Sequence, residues 1–336
     1  MKKNNLYILI FLGLAVLILW QALLPGYVLG LDMVFAPDMK VFTNPDGFLN
    51  FLPIGYLIYW LGLIIPVWLV QKIILLLLFF SIGYLAFKYL PIGESKTARM
   101  FSALIYLVNP FVYSRFLAGQ WTHLMAYAFL PLFIHYLFVF EEKNDLKSGL
   151  KLFGTLFFIS IFSIHFFIVS AMILAVWFIY HFIKCLVSNN RGYAKAMLKN
   201  IAVCGVLFLI VSSYWLIPAL NRPKPIEQRF DMSHWQAFSA GGYKNISPIL
   251  NLISLNGFWG ERHPWAQYFL WPQDYSIFWI SFFVIMIFVL VGIVGGFRDK
   301  AKRSKIIFFF LLGIFALIFF FENRIFYFII FYKIHN

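Results

Sequence analysis

Charge is what this chain has least of. Only 12% of its 336 residues are Asp, Glu, Lys or Arg and 13 are acidic, while 62% are hydrophobic. Soluble domains run at about a quarter charged, so this composition excludes an ordinary soluble domain and fits a polytopic membrane protein. Cysteine is scarcer still: Cys185 and Cys204 stand alone. Both fall at or near the expected cytoplasmic side, which excludes a disulfide framework and predicts free thiols. Several chemical motifs are also missing. There is no Gly-x-x-x-x-Gly-Lys phosphate loop, no Gly-x-Gly-x-x-Gly, no His-Glu-x-x-His and no cysteine pair spaced for zinc.

What the chain does have is long apolar runs and aromatic residues, which make up 21% of it with 43 Phe. Such aromatics suit lipid-facing surfaces and interfacial belts. A bilayer crossing needs roughly 20 apolar residues. The runs predict spans over 6–24, 66–89, 99–114, 124–140, 151–164, 166–183, 198–219, 276–296 and 305–321, with a further short run from Ile325. Pro25-Gly26, not a small-x-small cleavage site, follows the first run, so an uncleaved span with its N-terminus inside is expected.

The net charge of +14 does not point to nucleic acid, because the basic residues lie in short loops between apolar runs. On this map the inner segments hold 17 basic residues and five acids, from Lys2 and Lys3 to Arg303 and Lys305. The outer segments hold eight of each, so the sides carry +12 and 0, with Lys72 and Lys333 unassigned. Phe48–Ile65 is apolar enough to cross, but crossing would put the basic loop Glu141–Lys151 outside. It is therefore expected to lie in the outer interface, anchored by Tyr56, Tyr59 and Trp60. Residues 151–183 are expected to form two short helices meeting near Ser163-Ile164-His165. The expected fold is an all-α transmembrane helix bundle of about 9–10 spans. A bundle over 1–220, with a first outer loop at 25–50, precedes a loop-rich outer cap over 221–275 and C-terminal helices over 276–336.

Among so few acids, the aspartates of the first loop stand out. Asp32 and Asp38 are candidate catalytic carboxylates, because a base taking a proton from a sugar hydroxyl must be ionisable and at the reacting centre. They could also share a divalent cation (Mg or Mn) with a diphosphate, although nothing in their spacing requires a metal. The competing view is a solvated loop, since Pro37-Asp38 and Pro45-Asp46-Gly47 are ordinary turn signals.

A second stretch runs from Asn109-Pro110-Phe111-Val112-Tyr113 through Arg115 to Gly119-Gln120-Trp121-Thr122-His123. Arg115 offers a fork of donors suited to phosphate, and Gln120, Trp121 and His123 offer polar edges and a stacking face for a sugar. An anchoring interfacial loop is the plainer alternative. His165 is an ionisable group inside an apolar run, a functional candidate by default. In the long outer segment, Arg222 and Asp274 complete the candidate binding residues, against a background of solvated cap residues that includes Glu261.

Taken in order, the first-loop Asp32, the Asn-Pro-Phe-Val-Tyr stretch with Arg115, and Gly119-Gln120-Trp121 before a span near Met125-Ala126-Tyr127 resemble a known family. It is the GT-C superfamily of integral-membrane glycosyltransferases, in particular its arabinofuranosyltransferase-like group and related uncharacterised prokaryotic membrane proteins. The resemblance covers roughly residues 6–220. It implies transfer of a sugar from a polyprenyl-phosphate donor to a glycan, lipid or protein acceptor outside the cell membrane. In it, Asp32 would activate the acceptor, and Arg115 or a basic residue of the outer segment would steady the leaving phosphate. The chain departs from the family in lacking a second acid beside Asp32, where Met33 stands, and a large outer domain. A lipid or glycan transporter, or a catalytically inactive relative, remains the alternative.

Overall fold

A computed structural model describes residues 2–39, 41, 49–91, 95–221, 242–263, 266 and 269–321. Among these residues the secondary structure is helical, with one isolated bridge between Tyr243 and Ile246 and no strand. The chain divides into two compact units, Met1–Pro223 and Lys224–Asn336.

In the first unit α1 is Lys2–Leu19, α2 Leu52–Gly62, α3 Val67–Tyr89, α4 Lys96–Leu107, α5 Pro110–Leu117, α6 Trp121–Lys143, α7 Leu146–Phe162, α8 Ile164–Val187 and α9 Arg191–Leu220. In the second, α10 is Pro248–Ile253, α11 Ser276–Arg298 and α12 Lys300–Phe321. Among the described residues, six helical segments are long and apolar enough to cross a membrane: α3, α4 with α5, α6, α8, α9 and α11. That is consistent with a multi-pass membrane protein. The apolar part of α1 stops at Leu19 rather than at residue 24, and Trp20–Leu23 forms a turn. At 11 residues, or about 16 Å at 1.5 Å per residue, α2 is too short to span about 30 Å of hydrocarbon.

Local sequence sets the breaks. Asn109 caps α5 by accepting from the Val112 amide at 3.0 Å, and Pro110 takes the first helical position, where its missing N–H does no harm. Pro110 thus starts a helix as well as ending one. The break expected near Ser163-Ile164-His165 falls at Ser163, which ends α7 in extended geometry and caps α8 by accepting from Phe166.

The core of the first unit is built on α3, α6 and α7. Phe11, Ala15 and Leu19 of α1 are buried four residues apart, one stripe of a helix turned to α3. Tyr106 and Tyr127 lock α4 to α6: their rings stack at 4.1 Å, and each hydroxyl donates to the other's carbonyl at 2.8 and 3.0 Å. Two ends follow from this packing. Tyr7 stacks on Phe87, which brings the start of α1 to the end of α3, where Lys88 lies over Tyr89. At this basic end the Tyr193 hydroxyl donates to the Glu141 carbonyl at 2.6 Å, joining α9 to α6. The opposite end gathers residues 27–35, the starts of α3, α6 and α8, and the ends of α5, α7 and α9.

The second unit buries a carboxylate that the sequence placed in a solvated cap. Glu261 is 9% exposed. Its Oε1 accepts from the Gly257 and Phe258 amides at 2.7 and 3.0 Å, and its Oε2 from Asn251 Nδ2 at 2.8 Å. It therefore organises the turns between α10 and the short 3-10 helix Trp259–Arg262. The part of the expected cap at 222–241 lies outside the described residues.

Candidate functional site

The first loop is held against the bundle by backbone groups. The Gln71 side chain, fully buried in α3, acts as a peptide partner to Val28: it accepts from the Val28 amide at 2.9 Å and donates to its carbonyl at 2.7 Å. Four residues on, the Asp32 amide donates to the Ala118 carbonyl at 2.9 Å. Between these two anchors the chain crosses Gly119 at contact distance. A Cβ on Gly30 would meet Gly119 Cα at 3.2 Å, and one on Gly119 would meet Asp32 N and Met33 Cβ at 2.9 Å and also press on Met33 N. Gly119 further has φ +79°, a left-handed conformation that L side chains avoid. Gly119 therefore both turns the chain and admits the Asp32 segment.

These anchors leave the Asp32 carboxylate exposed but oriented. Its Oδ2 accepts from Gln120 Nε2 at 2.9 Å, and Gln120 Oε1 accepts from Arg115 Nη1 at 2.7 Å. Gln120 is the N-cap residue of α6, yet its side chain caps no amide because both its ends are engaged by Arg115 and Asp32. The Arg115 guanidinium lies 5.5 Å from the Phe111 ring centre, which limits its swing. Arg115, Gln120 and Asp32 form one chain from cation to carboxylate. Asp32 Oδ1 has no partner among the described residues.

Trp121 departs from its expected role. It is 6% exposed, and its ring is enclosed by Phe35 at 5.8 Å and Phe51 at 5.6 Å instead of facing solvent. It is a wall that binds the first loop to α6. His123, two residues on, is half-buried and stands 5.2 Å from the exposed His165 ring. Asn50, 4% exposed, pins the start of α2 to the same region: its Nδ2 donates to the Ser160 and Ile161 carbonyls, and its carbonyl accepts from the Tyr214 hydroxyl. Asp32, Arg115, Gln120, Trp121, His123 and His165 thus gather at one end of the first unit.

Of the other candidates, Asp38 and Asp274 fall among the described residues. Asp38 is exposed on the same loop. Asp46 and Arg222 lie outside the described residues. Asp274 belongs to the second unit, where Oδ1 pairs with Lys244 Nζ at 2.6 Å and Oδ2 accepts from the Tyr243 hydroxyl at 3.0 Å. Burial raises the Tyr243 hydroxyl above its ordinary pKa, and the bond to Asp274 raises the exposed Lys244 ammonium. As to a metal, no cluster of three or more His, Cys, Asp or Glu that could hold one occurs among the described residues.

Gln71, Gly30 and Asn50 are site-building residues that composition did not single out. Gln71 had a readable signal, an amide within an apolar run; Gly30 and Asn50 had none, because their partners are 87 or more residues away. In comparisons with protein-family models, curated proteins and solved structures, no match to this chain was found.

Proposed function

We propose that this chain is a membrane glycosyltransferase of the GT-C kind. It moves a sugar from a polyprenyl-phosphate donor to an extracytoplasmic acceptor, with Asp32 as general base. The observation that carries this reading is an exposed carboxylate held in one orientation by Gln120 and Arg115, at the opposite end of the helices from the basic cluster. Counting α1, α3, α4 with α5, α6, α7, α8, α9, α11 and α12 as nine crossings puts the basic end in the cytoplasm. Asp32 then faces the exterior at the lipid surface, and α2 lies along the outer interface.

In the reaction the acceptor hydroxyl gives its proton to Asp32 as its oxygen bonds to the anomeric carbon. The bond from that carbon to the phosphate oxygen breaks, and the lipid phosphate leaves with the electron pair. The amide of Gln120 holds one carboxylate oxygen while the other takes the proton. Arg115 keeps Gln120 in place and brings positive charge near the leaving phosphate. His123 and His165 border the site as binding groups for the acceptor or the donor sugar.

The test offers the purified protein a panel of lipid-phosphate sugars and measures released polyprenyl phosphate. Asp32→Asn should lower release by about 100-fold or more while membrane insertion is unchanged. Full activity in that variant, or no release from any donor by the parent chain, would overturn the reading.

A further inference from the structure

Lys72 is a buried cation that the proposed transfer does not use. It is 5% exposed, in the second turn of α3, beside the Gln71 that holds Val28. Among the described residues no carboxylate, carbonyl or hydroxyl accepts a hydrogen bond from it. Its nitrogen is nevertheless not one of the sealed, unpaired polar atoms of the chain, so the ammonium tip keeps a small opening.

One electrostatic term opposes a lysine here. An ammonium withdrawn from water without a counter-ion is strongly disfavoured. That term reverses if an anion sits at the opening.

Placement says which anion. Lys72 is the sixth residue of α3, about 8 Å along its axis at 1.5 Å per residue. Phe79, seven residues further on the same helical face, packs edge-on against Phe116 of α5 at 5.0 Å. Lys72 therefore lies on the α3 strip between the Val28 anchor and α5, the helix that carries Arg115. A helix that crosses a bilayer meets lipid phosphates at its ends. A lysine is a compact charge with three rotatable donors, suited to phosphate oxygens arriving from several angles.

We propose that Lys72 is an anion-binding residue for the phosphate head of a membrane lipid. The proposal concerns binding and stands whether or not transfer follows at Asp32.

The experiment follows thermal unfolding of the full chain in neutral detergent by tryptophan fluorescence. Dioleoyl phosphatidic acid, dioleoylglycerol and inorganic phosphate are added in separate arms. Phosphatidic acid should raise the midpoint and dioleoylglycerol should not. An equal rise with inorganic phosphate keeps the phosphate site but assigns its ligand to solution and not to lipid. Lys72→Arg should keep the rise. Lys72→Met should weaken binding by roughly tenfold or more while its lipid-free midpoint equals or exceeds the parent's, because a buried charge is removed. Asp32→Asn should keep the rise, which separates this site from the transfer reading. No rise in the parent chain, or the same rise in Lys72→Met, overturns the proposal.

Discussion

Gly119→Ala is the sharpest perturbation of the Asp32 site, because a single methyl meets two independent obstacles. The first is conformational: φ is +79° at this position, and an L residue held in the left-handed region is disfavoured by about 1–2 kcal/mol. The second is steric. The new Cβ would stand 2.9 Å from Asp32 N and from Met33 Cβ, and overpacking of this kind costs about 1–3 kcal/mol. Together they give about 2–5 kcal/mol. The cheapest relief is for residues 30–33 to move away, which breaks the bond from the Asp32 amide to the Ala118 carbonyl. Even the lower figure, about 2 kcal/mol, means about 30-fold more frequent opening at 1.4 kcal/mol per tenfold. Hydrogen exchange at the Asp32 amide reads that opening directly. Gly26→Ala is the control: φ is +103°, but nothing lies within 4 Å of its Cβ, so it carries strain without overlap. Unchanged exchange at Asp32 in Gly119→Ala, or equal acceleration in Gly26→Ala, would refute the account of how the loop is held.

Gln71→Leu strips both bonds from Val28 and leaves its amide and carbonyl short of a partner; it should lower stability by about 2–4 kcal/mol, measured by denaturation in detergent. Stability of the second unit should depend on pH through Glu261, whose carboxyl is pushed up by burial against the opposing pull of Asn251 and two amides. A raised carboxyl pKa adds stability that is complete below the unfolded value, about 4.3, and is lost as pH rises through the folded value. Unfolding midpoints of the parent chain should therefore rise, relative to Glu261→Gln, as pH falls from about 7 to about 4; a constant difference across that range would count against the buried carboxylate.

Much of the architecture was legible in one dimension. Apolar runs set the helices, because hydrophobic length is a property of contiguous segments. The break at Ser163 was visible for the same reason, since 33 residues with basic loops at both ends are too long for one helix. Pro110 and Gly119 announced their turns, because a fixed ring and a missing side chain act on their own backbone. The burial of Trp121 was not legible: whether an aromatic near a helix start faces solvent or core depends on what arrives opposite, here Phe35 from the first loop and Phe51 at the start of α2.

Sequence alone, then, determined that this is a helical chain suited to a membrane and that Asp32 and Arg115 were worth watching. Only the tertiary structure joined them through Gln120, across 88 residues of chain. It also buried Glu261, and it gave Lys72 no counter-ion among the described residues. The reason is physical: helix formation is driven by neighbours along the chain, whereas orientation of a carboxylate or burial of a charge depends on groups that only folding brings near.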